Sequence, residues 1–376
     1  MKADFLQCYL DAFSSIQGFF TFDAALLFLA YNQLTRQEGI TGDVLEIGLH
    51  HGLSAIVVGS LAGRGRRFVA VDLFDELQNQ NQSGSGAGNR QVFLRNMQMF
   101  FECLDFLEVV TTRSSELKTN ELGNQFSFCH IDGGHSAEET YQDLSLCSRV
   151  LMPGGLIALD DYFNPYFPGV SEGAVRFQLE AGESLQPLAI GFNKVLFQKQ
   201  PVETENLNLA FASAFGPIPA ERSILWGTKV NYFTSSFLPF FDLAKSTEES
   251  LVLRPQPEVL AVFEPQSSKL EVLRGQLVSL PVTVHNKSGN AFPHGKATLG
   301  LSYHLLSSSG RMLKFDNARS YFEVPLQAES SLTTELKIHA PDESGPYLLE
   351  MDLVWEGMMW FKEKGNPTCT VELFVK

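Results

Sequence analysis

The sequence has little of what marks a secreted or membrane-spanning protein. Among its 376 residues there are only five cysteines, and no two of them form a Cys-x-x-Cys pair. We therefore interpret them as small buried apolar residues of a reducing compartment. The longest apolar stretch runs from Ala24 to Tyr31, well short of the roughly 20 residues that cross a bilayer. No signal-type segment is recognisable, so we expect a cytoplasmic protein without a membrane span.

Positive charge is also scarce. The chain has 28 lysine and arginine residues against 43 aspartate and glutamate residues, which gives a formal net charge of -15. Because nucleic-acid backbones and anionic membrane surfaces require a basic partner, we expect neither as a main partner. Apolar residues reach 44% of the composition, which suits well-filled interiors, and the length predicts two domains.

The first half of the chain alternates short apolar runs with helical patterns. Residues 1–40 predict two helices, and residues 41–199 predict a doubly wound, Rossmann-like α/β sheet, because helices that separate strands imply parallel pairing. The last strand is expected to close this sheet in the antiparallel direction. The expected strands are Val44–Ile47, Phe68–Val71, Leu107–Val110, Phe126–Ile131, Leu156–Leu159 and Lys194–Gln198. Residues 78–90, rich in Gly, Ser, Gln and Asn, predict a mobile loop.

The second half has a different pattern. Residues 200–255 show apolar clusters without a clear period, and we interpret them as an extension that links two domains. Residues 256–376 contain seven β-type runs separated by turn residues, which predict an all-β immunoglobulin-like sandwich without catalytic residues. Trp355 and Trp360 in this region are expected to be packing residues, with stacking on a sugar face as the alternative.

A glycine loop follows the first expected strand in the segment VLEIGLHHGLS, residues 44–54. Gly48 and Gly52 let the backbone turn tightly into a helix and approach a ligand closely. The Gly-x-Gly-x-x-Gly pattern of pyrophosphate sites is absent, and Glu46 precedes the loop, which suits a cofactor with an ammonium group. The next strand ends in Asp72, where a carboxylate can accept both ribose hydroxyls of an adenosine.

Two further expected strands end in acidic residues, Asp132 in one case and Asp160-Asp161 in the other. Ligands of doubly wound sheets bind beyond the carboxyl ends of the strands, so we expect these carboxylates in one crevice. Such a cluster repels itself unless protons or a cation neutralise it, and oxygen ligands without cysteine favour Mg²⁺. His135 is the candidate base that removes a proton from a metal-bound hydroxyl.

Local structure alone can also explain these residues, without a role in binding or catalysis. The DGGH turn before Ser136-x-x-Glu139 predicts a helix start with a capping box, and Asp160-Asp161 fits a solvated strand end. His50 and His51 can simply shape the glycine loop.

In this ordered set of motifs, residues 40–199 resemble the class I S-adenosylmethionine (SAM)-dependent methyltransferases, and within them the macrocin-type sugar O-methyltransferases. The resemblance implies cofactor contacts at Glu46, Gly48, Gly52, Asp72 and Ser114. It implies metal ligands at Asp132, Asp160 and Asp161 and a base at His135. The family commonly has a glycine two residues before the serine, where this sequence has Thr112.

Together these features predict a SAM-dependent, Mg²⁺-assisted O-methyltransferase acting on a hydroxyl of a sugar or polyhydroxylated metabolite. A small-molecule or glycan substrate is expected, and a homo-oligomer is compatible with the sequence. The alternative is a non-catalytic SAM-binding domain that supports a carbohydrate-binding or assembly β-sandwich. A third interpretation, hydroxylation by iron, requires two histidines and a carboxylate as ligands, and no such set is evident in the motifs.

Overall fold

A computed structural model of the protein describes residues 5–63, 65–75, 77, 87–180, 185–199, 206–254, 259–292, 298–356 and 359–376. The chain divides into two compact units, residues 1–254 and 255–376. Most of the tract at 78–90, for which we predicted a mobile loop, lies outside the described residues. None of the helices in the described ranges is long and apolar enough to cross a membrane.

The first unit combines helices with a mixed sheet. Its helices are α1 (Phe5–Ala12), α2 (Phe22–Gln37), α3 (Leu53–Leu61), α4 (Arg90–Phe100), α5 (Thr119–Leu122), α6 (Ala137–Val150), α7 (Pro168–Glu180) and α8 (Leu207–Ala214). Its strands are β1 (Asp43–Ile47), β2 (Phe68–Asp72), β3 (Leu107–Thr111), β4 (Phe126–Ile131), β5 (Leu151–Asp160), β6 (Leu185–Gly191), β7 (Lys194–Lys199), β8 (Glu221–Leu225) and β9 (Thr228–Phe233).

The strands of this unit form one sheet in the order β3-β2-β1-β4-β5-β7-β6-β9-β8. Strands β1 to β5 pair in parallel, and β7 pairs antiparallel with both β5 and β6. The predicted Rossmann-like fold and the antiparallel direction of its predicted last strand are therefore confirmed, but β6, β9 and β8 extend the sheet beyond that strand. The chain leaves β1 toward β2 on one side and returns beside it as β4 on the other, which makes the end of β1 the switch point where such sheets bind ligands.

Three strands of this sheet were not predicted from the sequence. Strand β6 contains Pro187, which lacks a backbone N–H, and its pairing with β7 shifts register between Pro187 and Ala189. Strands β8 and β9 form a hairpin, and β9 pairs in parallel with β6. The described part of the predicted linking extension, residues 206–254, thus lies within the first unit and widens its sheet.

Helix α2 packs residues 206–254 against the rest of the first unit. Twelve of its 16 residues are buried, because it packs against the sheet and also contacts α8. The Phe28 ring lies 5.1 Å from the Phe128 ring of β4, and the Tyr31 ring stacks on Phe211 of α8 at 5.1 Å. Full burial of an aromatic or aliphatic side chain contributes about 1.5–3 kcal/mol, so this helix anchors both neighbours.

The second unit is all β, as predicted. Its strands are β10 (Ala261–Pro265), β11 (Lys269–Val272), β12 (Leu277–Asn286), β13 (Leu299–Ser307), β14 (Met312–Lys314), β15 (Ser320–Tyr321), β16 (Ser331–His339), β17 (Gly345–Trp355), β18 (Met359–Trp360) and β19 (Cys369–Val375). One sheet has the order β10-β12-β16, and the other has the order β11-β19-β17-β13-β14. The two-residue strand β15 lies off this path and pairs with Gly300 and Leu301 of β13.

Strands of the two sheets of the second unit differ in burial: β12 buries alternate residues, whereas β13 buries six residues in a row. The backbone N–H of His339 on β16 donates to the buried hydroxyl of Tyr303 on β13, so the two sheets meet at this point. Trp360 is 9% exposed and lies 4.5 Å from the His304 ring, which agrees with its interpretation as a packing residue. The immunoglobulin-like arrangement of the strands stays a prediction.

Candidate active site

A cavity of about 870 Å³ opens at the carboxyl ends of β1, β2, β4 and β5. Its volume lies in the range of small-molecule and cofactor sites. Seven of the nine site residues predicted from the sequence line it: Gly48, Asp72, Ser114, Asp132, His135, Asp160 and Asp161. Among the described lining residues, Glu46 and Gly52 are absent. The acidic residues at the strand ends therefore converge on one cavity, as predicted. Glu46 and Gly52 do not line it.

The loop after β1 requires glycine at two positions for different reasons. Gly48 has a φ of 88°, and a Cβ atom there would stand 1.8 Å from the carbonyl oxygen of Asp132. Gly52 also has a φ of 88°, caps the N-terminus of α3, and faces the Phe93 ring instead of the cavity. The loop after β1 and the turn after β4 are thus in backbone contact at Gly48.

Asp72 ends β2 and fixes the same loop. Its Oδ2 atom accepts hydrogen bonds from the backbone N–H of Leu49 at 2.7 Å and of His50 at 2.9 Å. The carboxylate also lines the cavity, in the position where the sequence predicted contact with a ribose. Ser114 lies farther along the wall, in the short 3-10 turn Ser114–Glu116 that follows β3.

Glu46 is fully buried and pairs with a histidine that the sequence analysis did not identify. Its Oε1 atom lies 2.8 Å from Nδ1 of His130, the residue opposite it on β4. Burial raises the pKa of Glu46 to about 8, although the Ser54 hydroxyl and the Lys194 ammonium oppose the shift. Burial and the same ammonium lower the pKa of His130 to about 3. Both shifts favour the uncharged forms of the two side chains, a protonated Glu46 carboxyl and a neutral His130 imidazole.

The carboxylates at the ends of β4 and β5 differ in their surroundings. Desolvation and the Asp160 carboxylate raise the pKa of Asp132 well above its usual value, and Lys194 opposes this. Burial would also raise the pKa of Asp161, but hydrogen bonds from His135, Asn164 and Asn193 outweigh it and lower the pKa to about 2. Asp161 is therefore a stable carboxylate, while Asp132 needs a proton or a cation.

Asp160 is the most completely paired of the three. Its Oδ2 atom contacts the ammonium of Lys194, and both side chains are almost fully buried. Its Oδ1 atom accepts hydrogen bonds from the backbone N–H of Asp161 at 2.8 Å and from the side-chain amide of Asn193 at 2.9 Å. Asn193 also donates to Asp161 Oδ1 at 2.6 Å.

His135 lies in the turn between β4 and α6. Its Nε2 atom is 3.2 Å from Asp161 Oδ2, and its ring stacks on Phe167 with a centroid distance of 3.8 Å and an angle of 9°. The capping box predicted at Ser136 and Glu139 is also present, so α6 begins directly after the histidine. The structural interpretation of this turn and the placement of His135 in the cavity are therefore compatible.

Part of the sequence that forms this site matches a known protein family. Residues 45–162, which span β1 to the end of the acidic pair, match the family model of a methyltransferase domain. Residues 45–162 therefore have the sequence of a methyltransferase domain. No curated protein matches the chain by sequence.

The chain is also similar to several solved structures. One is the O-methyltransferase NovP, with a TM-score of 0.42 and 14% identity over 48% of this chain and 80% of that one. Another is an O-methyltransferase from Bacillus cereus in complex with SAH (S-adenosylhomocysteine). Its TM-score is 0.38 and its identity is 16%, over 53% of this chain and 92% of that one. A third is cofactor-bound Rv0187 from MTB, with a TM-score of 0.38 and 16% identity over 54% of this chain and 92% of that one.

The first unit contains three residues near the site that the sequence analysis missed: His130, Asn193 and Lys194. The signal for Lys194 was available, since the predicted antiparallel strand begins there and its register places the lysine opposite Asp160. His130 precedes Asp132 by two residues, but its partner Glu46 becomes visible only when β1 and β4 are paired.

Two overlapping groups of side chains in this domain can hold a metal ion. Ligand atoms of Asp132, His135 and Asp161 lie within 4.8 Å of one another, and so do those of His130, Asp132 and Asp160. The two histidines belong to different groups, so no group found in the described ranges combines two histidines with a carboxylate. Each group thus offers one imidazole and two carboxylates as ligands.

Proposed function

We propose that the methyltransferase domain is a metal-assisted O-methyltransferase that acts on a hydroxyl of a sugar or polyhydroxylated metabolite. The observation that carries the proposal is the grouping of Asp132, Asp161 and His135 within 4.8 Å, at the edge of the cavity that the cofactor loop also lines. Gly48 touches the carbonyl of Asp132, so a cofactor on the loop and an acceptor on the acidic cluster would be neighbours.

For SAM, Gly48, Asp72 and Ser114 are the predicted cofactor residues that line the cavity. Asp72 is proposed to accept the ribose hydroxyls, Gly48 to pass close to the methionine part, and Ser114 to lie near the adenine. Glu46 and Gly52 are proposed to position the residues that line this site. Glu46 contacts His130, and Gly52 caps the N-terminus of α3.

For the metal, Asp132, Asp160 and Asp161 are the proposed ligands, with Mg²⁺ as the ion that carboxylate oxygens favour. Three carboxylates and the Lys194 ammonium sum to a net charge of about -2 when all are ionised, which one divalent cation balances. The raised pKa of Asp132 supports the same assignment, because a cation can replace the proton that this carboxyl otherwise retains.

The chemistry requires an activated oxygen. SAM supplies an electrophilic methyl group, and a bound divalent cation lowers the pKa of a coordinated hydroxyl. His135 is proposed to accept the proton that the acceptor hydroxyl loses as its oxygen bonds to the methyl carbon, while the bond between that carbon and the sulfur of SAM breaks and S-adenosylhomocysteine leaves. Asp161 and Phe167 hold the imidazole, the first by its 3.2 Å contact and the second by stacking. Asp161 also stabilises the imidazolium that proton transfer creates.

The test combines cofactor binding with turnover on a panel of polyhydroxylated acceptors. Asp72→Ala should weaken binding of SAM or S-adenosylhomocysteine (SAH) at least about tenfold in calorimetry. His135→Ala should lower turnover by about a hundredfold or more and leave SAH affinity unchanged, since general-base catalysis contributes that much. A chelator should abolish activity and Mg²⁺ should restore it. Full activity in excess chelator would contradict the metal assignment.

The remaining expectations stay part of the proposal. A cytoplasmic location rests on the cysteine content, and all five thiols are free in the structure. The second unit is proposed to serve recognition of a glycan or assembly into a homo-oligomer. Glycan-array screening and mass measurement in solution on the full chain would test these two roles.

A further inference from the structure

Lys194 is a buried cation next to the acidic cluster. It is the first residue of β7 and stands opposite Asp160 in the antiparallel register, which directs its side chain to that carboxylate. Lys194 is 2% exposed, and its ammonium also lies 5.1 Å from the centroid of the Phe20 ring. A buried ammonium is costly unless it is paired, so the Lys194–Asp160 contact is a fixed part of the site.

The pairing leaves Asp160 with little freedom. Three donors already occupy its two oxygens: the Lys194 ammonium, the Asp161 backbone N–H and the Asn193 amide. The ligand atoms of Asp132 lie within 4.8 Å of those of both Asp160 and Asp161. The charge of the cluster therefore depends on the three aspartates and on the ammonium that pairs with Asp160.

We infer that Lys194 sets the charge of the cluster to -2 and thereby makes it selective for one divalent cation over a trivalent one. Without the ammonium, the same three carboxylates would carry -3 and would attract a trivalent ion more strongly relative to a divalent ion. Lys194 is thus a positioning and charge-setting residue, which orients Asp160 and does not touch the acceptor. This inference rests on the proposed metal site.

The experiment compares Mn²⁺ and Tb³⁺ on the full-length protein. Mn²⁺ binding is measured by the electron paramagnetic resonance signal of the free ion, and Tb³⁺ binding by its displacement of Mn²⁺. Mn²⁺ that binds the wild-type protein but not the Asp132→Asn variant is assigned to the acidic cluster. In Lys194→Met, which keeps a long side chain without charge, the ratio of Tb³⁺ to Mn²⁺ affinity should rise at least about tenfold.

A double variant provides the matched control. Lys194→Met with Asp160→Asn removes one charge of each sign and returns the cluster to -2, so the affinity ratio should return to within about threefold of the wild-type ratio. SAH affinity, measured in parallel, reports that each variant is folded. If Lys194→Met fails to bind SAH, Lys194→Gln replaces it, because glutamine can still donate to Asp160.

The outcomes separate the two proposals. Mn²⁺ binding with an unchanged Tb³⁺ to Mn²⁺ ratio in the lysine variant would overturn the role of Lys194 and leave the metal site standing. A raised ratio that persists in the double variant would also overturn it, because net charge would not be the determinant. Failure of the wild-type protein to bind Mn²⁺ at this site would overturn the metal assignment and this inference together.

Discussion

Replacing Gly48 with alanine tests the contact that joins the cofactor loop to the turn after β4. The added Cβ would lie 1.8 Å from the Asp132 carbonyl oxygen, whereas real Cβ atoms essentially never come closer than 3.0 Å. The two segments must therefore separate by at least 1.2 Å, the difference between these distances. Overpacking of this kind costs about 1–3 kcal/mol, and the positive φ adds about 1 kcal/mol for a residue with a side chain.

Gly39→Ala is the matched control. Gly39 has a φ of 78°, close to that of Gly48, but nothing lies within 4 Å of the position its Cβ would take. It therefore reports the backbone cost alone. We expect Gly48→Ala to destabilise the first unit by about 2 kcal/mol more than Gly39→Ala, and to weaken SAH binding at least about tenfold, which Gly39→Ala should not do.

The assay is hydrogen exchange of peptides from β1 and β4 at increasing denaturant, with SAH affinity measured by calorimetry. Exchange should accelerate in both strands in Gly48→Ala, because each side of the contact is displaced. Equal protection in the two alanine variants, together with unchanged SAH affinity in Gly48→Ala, would refute the tight contact.

Two further predictions concern side-chain pairs of the first unit. Because the folded state keeps a proton on Glu46 up to about pH 8, while the unfolded chain releases it above its ordinary pKa of 4.5, stability should fall as pH rises between these values. Glu46→Gln should remove this dependence, and denaturant midpoints measured from pH 4 to 9 would check it; parallel curves would argue against a protonated Glu46. Trp226→Phe should cost about 1 kcal/mol, because the indole N–H donates to the Tyr162 hydroxyl at 3.0 Å. In a thermal double-mutant cycle with Tyr162→Phe, additive losses would show that the hydrogen bond does not stabilise the protein.

The sequence predicted the parallel strands well, because they are short apolar runs, and three of them (β2, β4 and β5) lead into an acidic residue at the cavity. Asp72, Asp132, Asp160 and Asp161 follow from this pattern, since strand ends of one parallel sheet meet at one edge. The capping box at Ser136 was equally local and is confirmed.

What the sequence could not predict depends on pairing between distant segments. Glu46 was expected at the cofactor, yet alternation along β1 turns it toward His130 of the neighbouring strand. The β8–β9 hairpin has mostly polar or half-exposed residues, so its place in the sheet depends on β6 and α2 and not on its own apolar pattern. Such long-range partners leave no periodic signal in the chain.

The nine-stranded sheet has a practical consequence for work with shorter fragments. A fragment of residues 41–199 would retain the acidic cluster but would lose α2, which covers β4, and would leave the edge of β6 unpaired where β9 now lies. An unpaired strand edge beside uncovered apolar side chains favours association between molecules. It would also remove Trp226 from Tyr162, the residue that directly follows the acidic pair. A fragment that ends at Arg254 keeps these supports, so it is the better choice for preparing the catalytic part alone.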